Sequence, residues 1–226
     1  MKIIVVSSQF DAADTSAAWV ANRIRSAVRA RGVCRLAVSG GANTALMFDA
    51  LAGMELPWNR VQLFQVDERV APDDDPDRNA TQLAHHLLRH VAIRRSDVHL
   101  MGVTAKSLQQ AARRYAATLG NDPLDIVHLG IGEDGHTASW PPGDAIVDSA
   151  SAVAICDEFN GRVRMTLTPR VVNAARARLI FVTGNEKASP VANWIVQRAN
   201  LPIAHVRRTG TTLVLDAAAA SQLAHG

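Results

Sequence analysis

The chain has 226 residues, 48% of them hydrophobic, 20% charged and 4% aromatic, a balance that suits a globular core built on Ala, Val, Leu and Ile and excludes wholesale disorder. Its 24 basic residues exceed the 21 acidic ones by 3 and are scattered, so a sequence pI of ≈ 9.3 does not amount to a nucleic-acid-binding face. No apolar run approaches the roughly 20 residues of a membrane helix, and no membrane partner is expected.

Taken in chain order, residues 3–7 read as a first strand, too short and too poor in small residues at its end for a signal peptide. Residues 15–31 read as a helix, with Trp19, Ile24 and Val28 on one side and Arg23, Arg25 and Arg29 on the other. Strands are expected at 33–39 and 61–67, with a helix at 44–52 between them. A Pro- and Asp-rich loop at 71–78 leads into helices at 79–91 and 107–119, then a strand at 125–130 and a loop at 140–149. Further strands are expected at 153–156, 162–168 and 179–183, with Pro169 at the first position of a helix after the second of these. A helix at 186–198, a strand at 213–216 and a closing helix complete the chain. Alternating strands and helices predict one domain spanning 1–226, a three-layer α/β/α fold around a mostly parallel, Rossmann-like sheet. Cys34 and Cys156 fall in expected strands without CxxC spacing, which points to a reducing, cytoplasmic setting.

Five segments carry chemistry, and all but one, itself a strand, lie where a strand ends, the place where open parallel sheets bind ligands. Ser39-Gly40-Gly41-Ala42-Asn43-Thr44 runs from a strand through a Gly-Gly turn into a helix, so its amides suit a phosphate; it is neither a Walker A loop nor GxGxxG. Asp67-Glu68-Arg69 puts a guanidinium that can fork onto an anion beside carboxylates. Gly130 to Ser139 has glycines at alternate positions around Asp134 and His136, and imidazole is the side chain best placed to act as a general base near neutrality. Asp134, His136 and Ser139 do not form a nucleophilic triad in this reading, because no GxSxG elbow is present and Ser139 is expected to start or cap a helix. Arg164 and Thr166 share one face of their strand, and Lys187, one of only three lysines, sits in the Gly184-Asn185-Glu186-Lys187 turn. His85, His86 and His90 read as a solvated helix face, since no third ligand accompanies the one-turn spacing of His86 and His90.

In their order and spacing these segments resemble the 6-phosphogluconolactonases of the glucosamine-6-phosphate isomerase/deaminase superfamily, most specifically through Asp134 to Ser139 followed by Pro142-Gly143. The resemblance implies that His136 activates water and that Asp134 lies beside the reacting sugar. It implies that Asp67 and Arg69 line the pocket and that the Gly40 to Thr44 turn, Arg164 and Lys187 hold phosphate. Ala42-Asn43 stand where the family has a hydroxyl residue and proline, Arg78 stands where a serine is common and adds positive charge near the pocket mouth, and Pro142 stands where deaminases carry a glutamate.

The expected reaction is hydrolysis of 6-phospho-D-glucono-1,5-lactone, with His136 as base and neither metal nor other cofactor; the sequence does not identify the oxyanion donor, for which loop N–H groups are candidates. The alternatives are a glucosamine-6-phosphate deaminase and a sugar-phosphate sensor without catalysis. The only expected partner is the small phosphosugar lactone, in a monomer or small homo-oligomer.

Overall fold

The computed structural model describes residues 1–41, 43–197 and 200–223. Its centre is a parallel sheet of seven strands: β1 (Lys2–Val6), β2 (Cys34–Val38), β3 (Val61–Gln65), β5 (Val98–His99), β6 (Ile126–Leu129), β9 (Ala177–Val182) and β10 (Thr211–Asp216), ordered β1-β10-β9-β6-β2-β3-β5. Side-chain alternation divides its two faces. Leu36, Val38, Leu179, Phe181 and Val214 pack beneath α1 (Gln9–Arg31) and α2 (Thr44–Ala52), while Ala37, Ile180, Val182, Leu213 and Leu215 join the core on the opposite side. There α4 (Leu108–Leu119), α5 (Pro169–Ala174) and α6 (Ala188–Ile195) cover the sheet, completing the three layers.

The same core also takes in a second sheet, which the sequence reading did not separate. Strand β4 (Asp67–Arg69) pairs antiparallel with β8 (Arg162–Leu167), and β8 with β7 (Val153–Phe159). The expected strand at 61–67 is therefore two strands. Val66 is the hinge: its N–H donates to Val38 O at 2.8 Å in the first sheet, and its carbonyl accepts from Leu167 N at 2.7 Å in the second.

Other boundaries move for local reasons. Helix α1 begins at Gln9 rather than 15 because Ser8 caps it, its Oγ accepting from Asp11 N at 3.1 Å. The expected helix at 79–91 keeps α-geometry only over α3 (Asn79–Leu83) and continues as a π-turn at Ala84–Leu88, where His86 Nδ1 meets Asp49 Oδ1 at 2.9 Å. Helix α6 is shorter than 186–198, and Arg198 lies outside the described residues. After β10 the chain makes turns over 217–222 instead of a closing helix. Both cysteines are buried and free.

One core residue makes stability depend on acid. His128, in the centre of β6, is fully buried with no hydrogen-bond partner for either ring nitrogen among the described residues, and burial holds its pKa down to about 3. The unfolded chain takes up this proton below about pH 6.5 while the folded one refuses it until about pH 3. The stability it contributes is complete above the unfolded pKa and lost as pH falls toward the folded one. At pH 4.5 the loss is expected to be about 2–3 kcal/mol relative to neutral pH. Denaturant titrations of His128→Leu should show a flatter pH profile in this range; an unchanged slope would contradict it.

Candidate active site

The chain leaves β2 toward β3 on one side, whereas β6 leads to β9 on the other, so the carboxyl ends of β2 and β6 flank a switch point. A cavity of ≈ 400 Å³ opens there. The structure brings to it Ser39, Gly40, Gly41, Asn43 and Thr44 from the end of β2, Asp67 and Arg69 from β4, His136 from the loop after β6, Arg164 from β8, and Lys187 from the turn after β9. Asp134 alone of the expected set is not in the lining; its Oδ1 instead contacts Nδ1 of the imidazole that is.

Asp67 ties the strand ends together. Its buried carboxylate accepts from Ser39 Oγ at 2.8 Å and Asn79 Nδ2 at 3.3 Å on one oxygen, and from Ser139 Oγ at 2.8 Å on the other. Ser139 is thus a buried strut rather than a helix start or cap, and Ser39 spends its hydroxyl on Asp67. Gly40 must lack a side chain, since a Cβ there would lie 1.9 Å from Asn79 Oδ1.

Beneath this layer lies Glu68, fully buried. Its carboxylate accepts from Gln65 Nε2 and the backbone N–H groups of Arg69 and Asn79, each at 2.8 Å, and from Ala80 N at 2.9 Å. Arg78 Nε approaches it to 3.1 Å, close enough for an ion pair though not aligned for a hydrogen bond. Arg78 also donates to Ala71 O and pairs with Asp73, both at 3.1 Å. The charge expected at the pocket mouth is therefore buried and neutralised, outside the lining.

His136 is fixed on three sides. Nδ1 lies 2.5 Å from Asp134 Oδ1, which also accepts from His136 N at 3.0 Å. Burial pushes the Asp134 carboxyl up, but the hydrogen bonds and charge of His136 outweigh it and leave Asp134 below the usual carboxylate range. The carboxylate therefore keeps the Nδ1–H tautomer, and Nε2 is left to the cavity. The ring packs against Gly132, where a Cβ would come within 2.0 Å of both Cε1 and Nδ1, and it meets Phe159 in a T-shaped contact with centroids 5.0 Å apart. Three of the loop's amides are engaged within it: Gly132 N donates to His136 O at 2.8 Å, Gly135 N to Gly132 O at 3.0 Å and His136 N to Asp134 Oδ1.

The three cations differ in what holds them. Arg69 donates to Asp77 O at 3.1 Å and to Asn79 Oδ1. Lys187 Nζ stands 3.6 Å from Glu133 Oε1. Arg164 is buried, and burial, followed by the like charge of Arg69, lowers its pKa. At the glycine turn, Gly41 N already donates to Gln82 Oε1 at 3.2 Å, and Asn43 Nδ2 reaches Thr183 O at 3.4 Å. Ala42 lies outside the described residues. Sequence reasoning missed Asn79, Glu68 as a buried anchor, and Phe159; only Asn79 left a signal, as the first residue of a helix following a strand-end loop. Among the described residues no three His, Cys, Asp or Glu side chains are grouped to hold a metal, and no helix is long and apolar enough to cross a membrane.

A parallel sheet covered on both faces, with a polar cavity at its switch point and an Asp-backed histidine at the rim, defines an α/β protein with a strand-end small-molecule site. Over residues 7–215 the sequence matches the family described as Glucosamine-6-phosphate isomerases/6-phosphogluconolactonase, and the chain belongs to it. It is 33% identical over 206 residues to a 6-phosphogluconolactonase of Rhizobium meliloti, covering 86% of this chain and 88% of that one. Its structure is similar to a 6-phosphogluconolactonase from Trypanosoma cruzi, with a TM-score of 0.86 at 25% identity over 99% of this chain and 97% of that one. It is similar also to a monomeric glucosamine-6-phosphate deaminase, with a TM-score of 0.85 at 20% identity over 98% and 100% of the chains. At that identity the last likeness concerns the fold alone.

Proposed function

We propose that this protein hydrolyses 6-phospho-D-glucono-1,5-lactone to 6-phosphogluconate, the lactonase step of the oxidative pentose phosphate pathway, in the cytoplasm. The observation that carries this reading is His136, locked through Nδ1 to Asp134 at 2.5 Å while its ring lines the cavity.

In this mechanism Nε2 of His136 takes a proton from water as the water oxygen bonds to C1. The carbonyl π pair moves onto its oxygen, then returns as the bond between C1 and the ring oxygen breaks. The imidazolium gives its proton to that departing oxygen. The product acid ionises, and no covalent enzyme intermediate or metal enters. Asp134 stabilises the imidazolium while it exists.

The phosphate is held by the Gly40 to Thr44 turn at the start of α2 and by Lys187. The ion pair of Lys187 with Glu133 is no obstacle: the Glu133 side chain is 71% exposed, and such a pair is worth about 0–1 kcal/mol, less than a desolvated phosphate contact.

The test is to supply the protein with the phosphorylated lactone, generated in situ, and separately with glucosamine 6-phosphate. Acid should be released from the first faster than in the spontaneous reaction, chelator should leave that rate unchanged, and no ammonia should come from the second. Pro142 is exposed and outside the cavity lining, and it cannot relay a proton as a deaminase glutamate would. Ammonia release at a comparable rate would make the protein a deaminase instead.

A further inference from the structure

Arg164 is anchored at one end and uncommitted at the other. Its Nε donates to Phe159 O at 3.1 Å, and its guanidinium carbon lies 5.1 Å from the centroid of the Phe159 ring. Its two terminal nitrogens make no hydrogen bond or ion pair among the described residues, whereas Arg69 is engaged by Asn79 and Asp77, and Lys187 by Glu133. A planar fork that is held in place and left unspent is preorganised for a ligand oxygen.

Two contacts put that fork on the His136 side. The Phe159 ring that carries Arg164 also receives His136 edge-on, at 5.0 Å and 82°, so one aromatic side chain sets both groups. Ser139 N donates to Thr166 Oγ1 at 3.3 Å, tying the histidine loop to β8 two residues beyond Arg164. The groups assigned to phosphate come from elsewhere: the turn after β2 and the turn after β9, joined by Asn43 Nδ2 on Thr183 O. Three amides of the histidine loop, those of Gly132, Gly135 and His136, are already bonded within it and closed to a developing negative charge.

From this placement we infer that Arg164 is a catalytic residue whose terminal N–H groups receive the lactone carbonyl oxygen as it becomes an oxyanion, and that it is not part of the phosphate grip. The inference rests on the lactonase reading. When water adds to C1, the carbonyl electron pair settles on the oxygen facing the guanidinium, and it leaves again when the ring C–O bond breaks. No proton passes through Arg164. Because the guanidinium is buried, its attraction for that charge is screened less than it would be in water.

The experiment compares wild type, Arg164→Ala, Arg164→Lys and Lys187→Ala in kcat and KM for the phosphorylated lactone. It adds inhibition by glucose 6-phosphate, which carries the phosphate without a lactone carbonyl. Arg164→Ala should lower kcat by about 10²–10³-fold, the cost of losing an oxyanion donor, with the glucose 6-phosphate inhibition constant unchanged. Arg164→Lys should recover only part, as a point charge lacks the fork. Lys187→Ala should show the opposite split, with weaker inhibition by glucose 6-phosphate and a higher KM. If Arg164→Ala fails to fold, Arg164→Lys decides the same comparison. An Arg164 effect confined to KM and to glucose 6-phosphate binding would return the residue to the phosphate site and overturn the inference. A wild-type protein that does not accelerate lactone loss would instead overturn the lactonase reading beneath it.

Discussion

His136→Ala is expected to lower kcat by roughly 10²–10⁴-fold, the loss that follows removal of a positioned general base. The cavity keeps its other walls in this variant, because Asp67 is held by Ser39, Asn79 and Ser139 and none of these bonds passes through the imidazole. KM should therefore move little, since the phosphate contacts are shared by ground and transition states. Lys187→Ala is the contrasting case: it should cost on the order of 1.5–3 kcal/mol, read mainly in KM. Steady-state kinetics on the phosphorylated lactone separates the two, and an unimpaired His136→Ala protein would remove the histidine from the chemistry.

Glu68→Ala is expected to cost about 3–5 kcal/mol of stability, the range for breaking a buried ion pair by removing one partner. The carboxylate has no exposure, and four donors besides Arg78 converge on it. Without it, Arg78 remains buried with only Asp73 to balance its charge, and the N–H groups of Asn79 and Ala80 at the start of α3 lose their acceptor. At about 2–4 °C per kcal/mol for a domain of this size, the melting temperature should fall by roughly 6–20 °C. Glu68→Gln should fall between, as it keeps an acceptor oxygen but gives up the charge. A fall of less than about 2 °C in the alanine variant would show that the pair is not a structural anchor.

The parts of this protein that the sequence exposes are those whose signal is local. The loop from Gly130 to Ser139 stands out because glycine is needed where the His136 ring packs on the backbone at Gly132. The main-sheet strands stand out because their apolar runs feed two cores at once. What escaped is set by distant partners. Asp67 is held by residues 28 and 72 positions away, so its role as a brace cannot be read from Asp67-Glu68-Arg69 alone. Arg78 reads in the sequence as a charge near the pocket mouth, because Glu68, ten residues earlier in the chain, meets it only in the folded structure. Strands β4 and β5 have three and two residues, too few to show a period. Phe159, which orients both His136 and Arg164, lies beside a register shift in β7 and leaves no pattern at all.

The most direct test of the central claim is the decay of 6-phosphogluconolactone, produced in situ and followed in the presence of wild-type protein, of His136→Ala, and of no protein. Wild type should remove the lactone well above the spontaneous rate, and His136→Ala should bring the decay back close to that rate while still binding glucose 6-phosphate. Equal decay in all three samples would contradict the account.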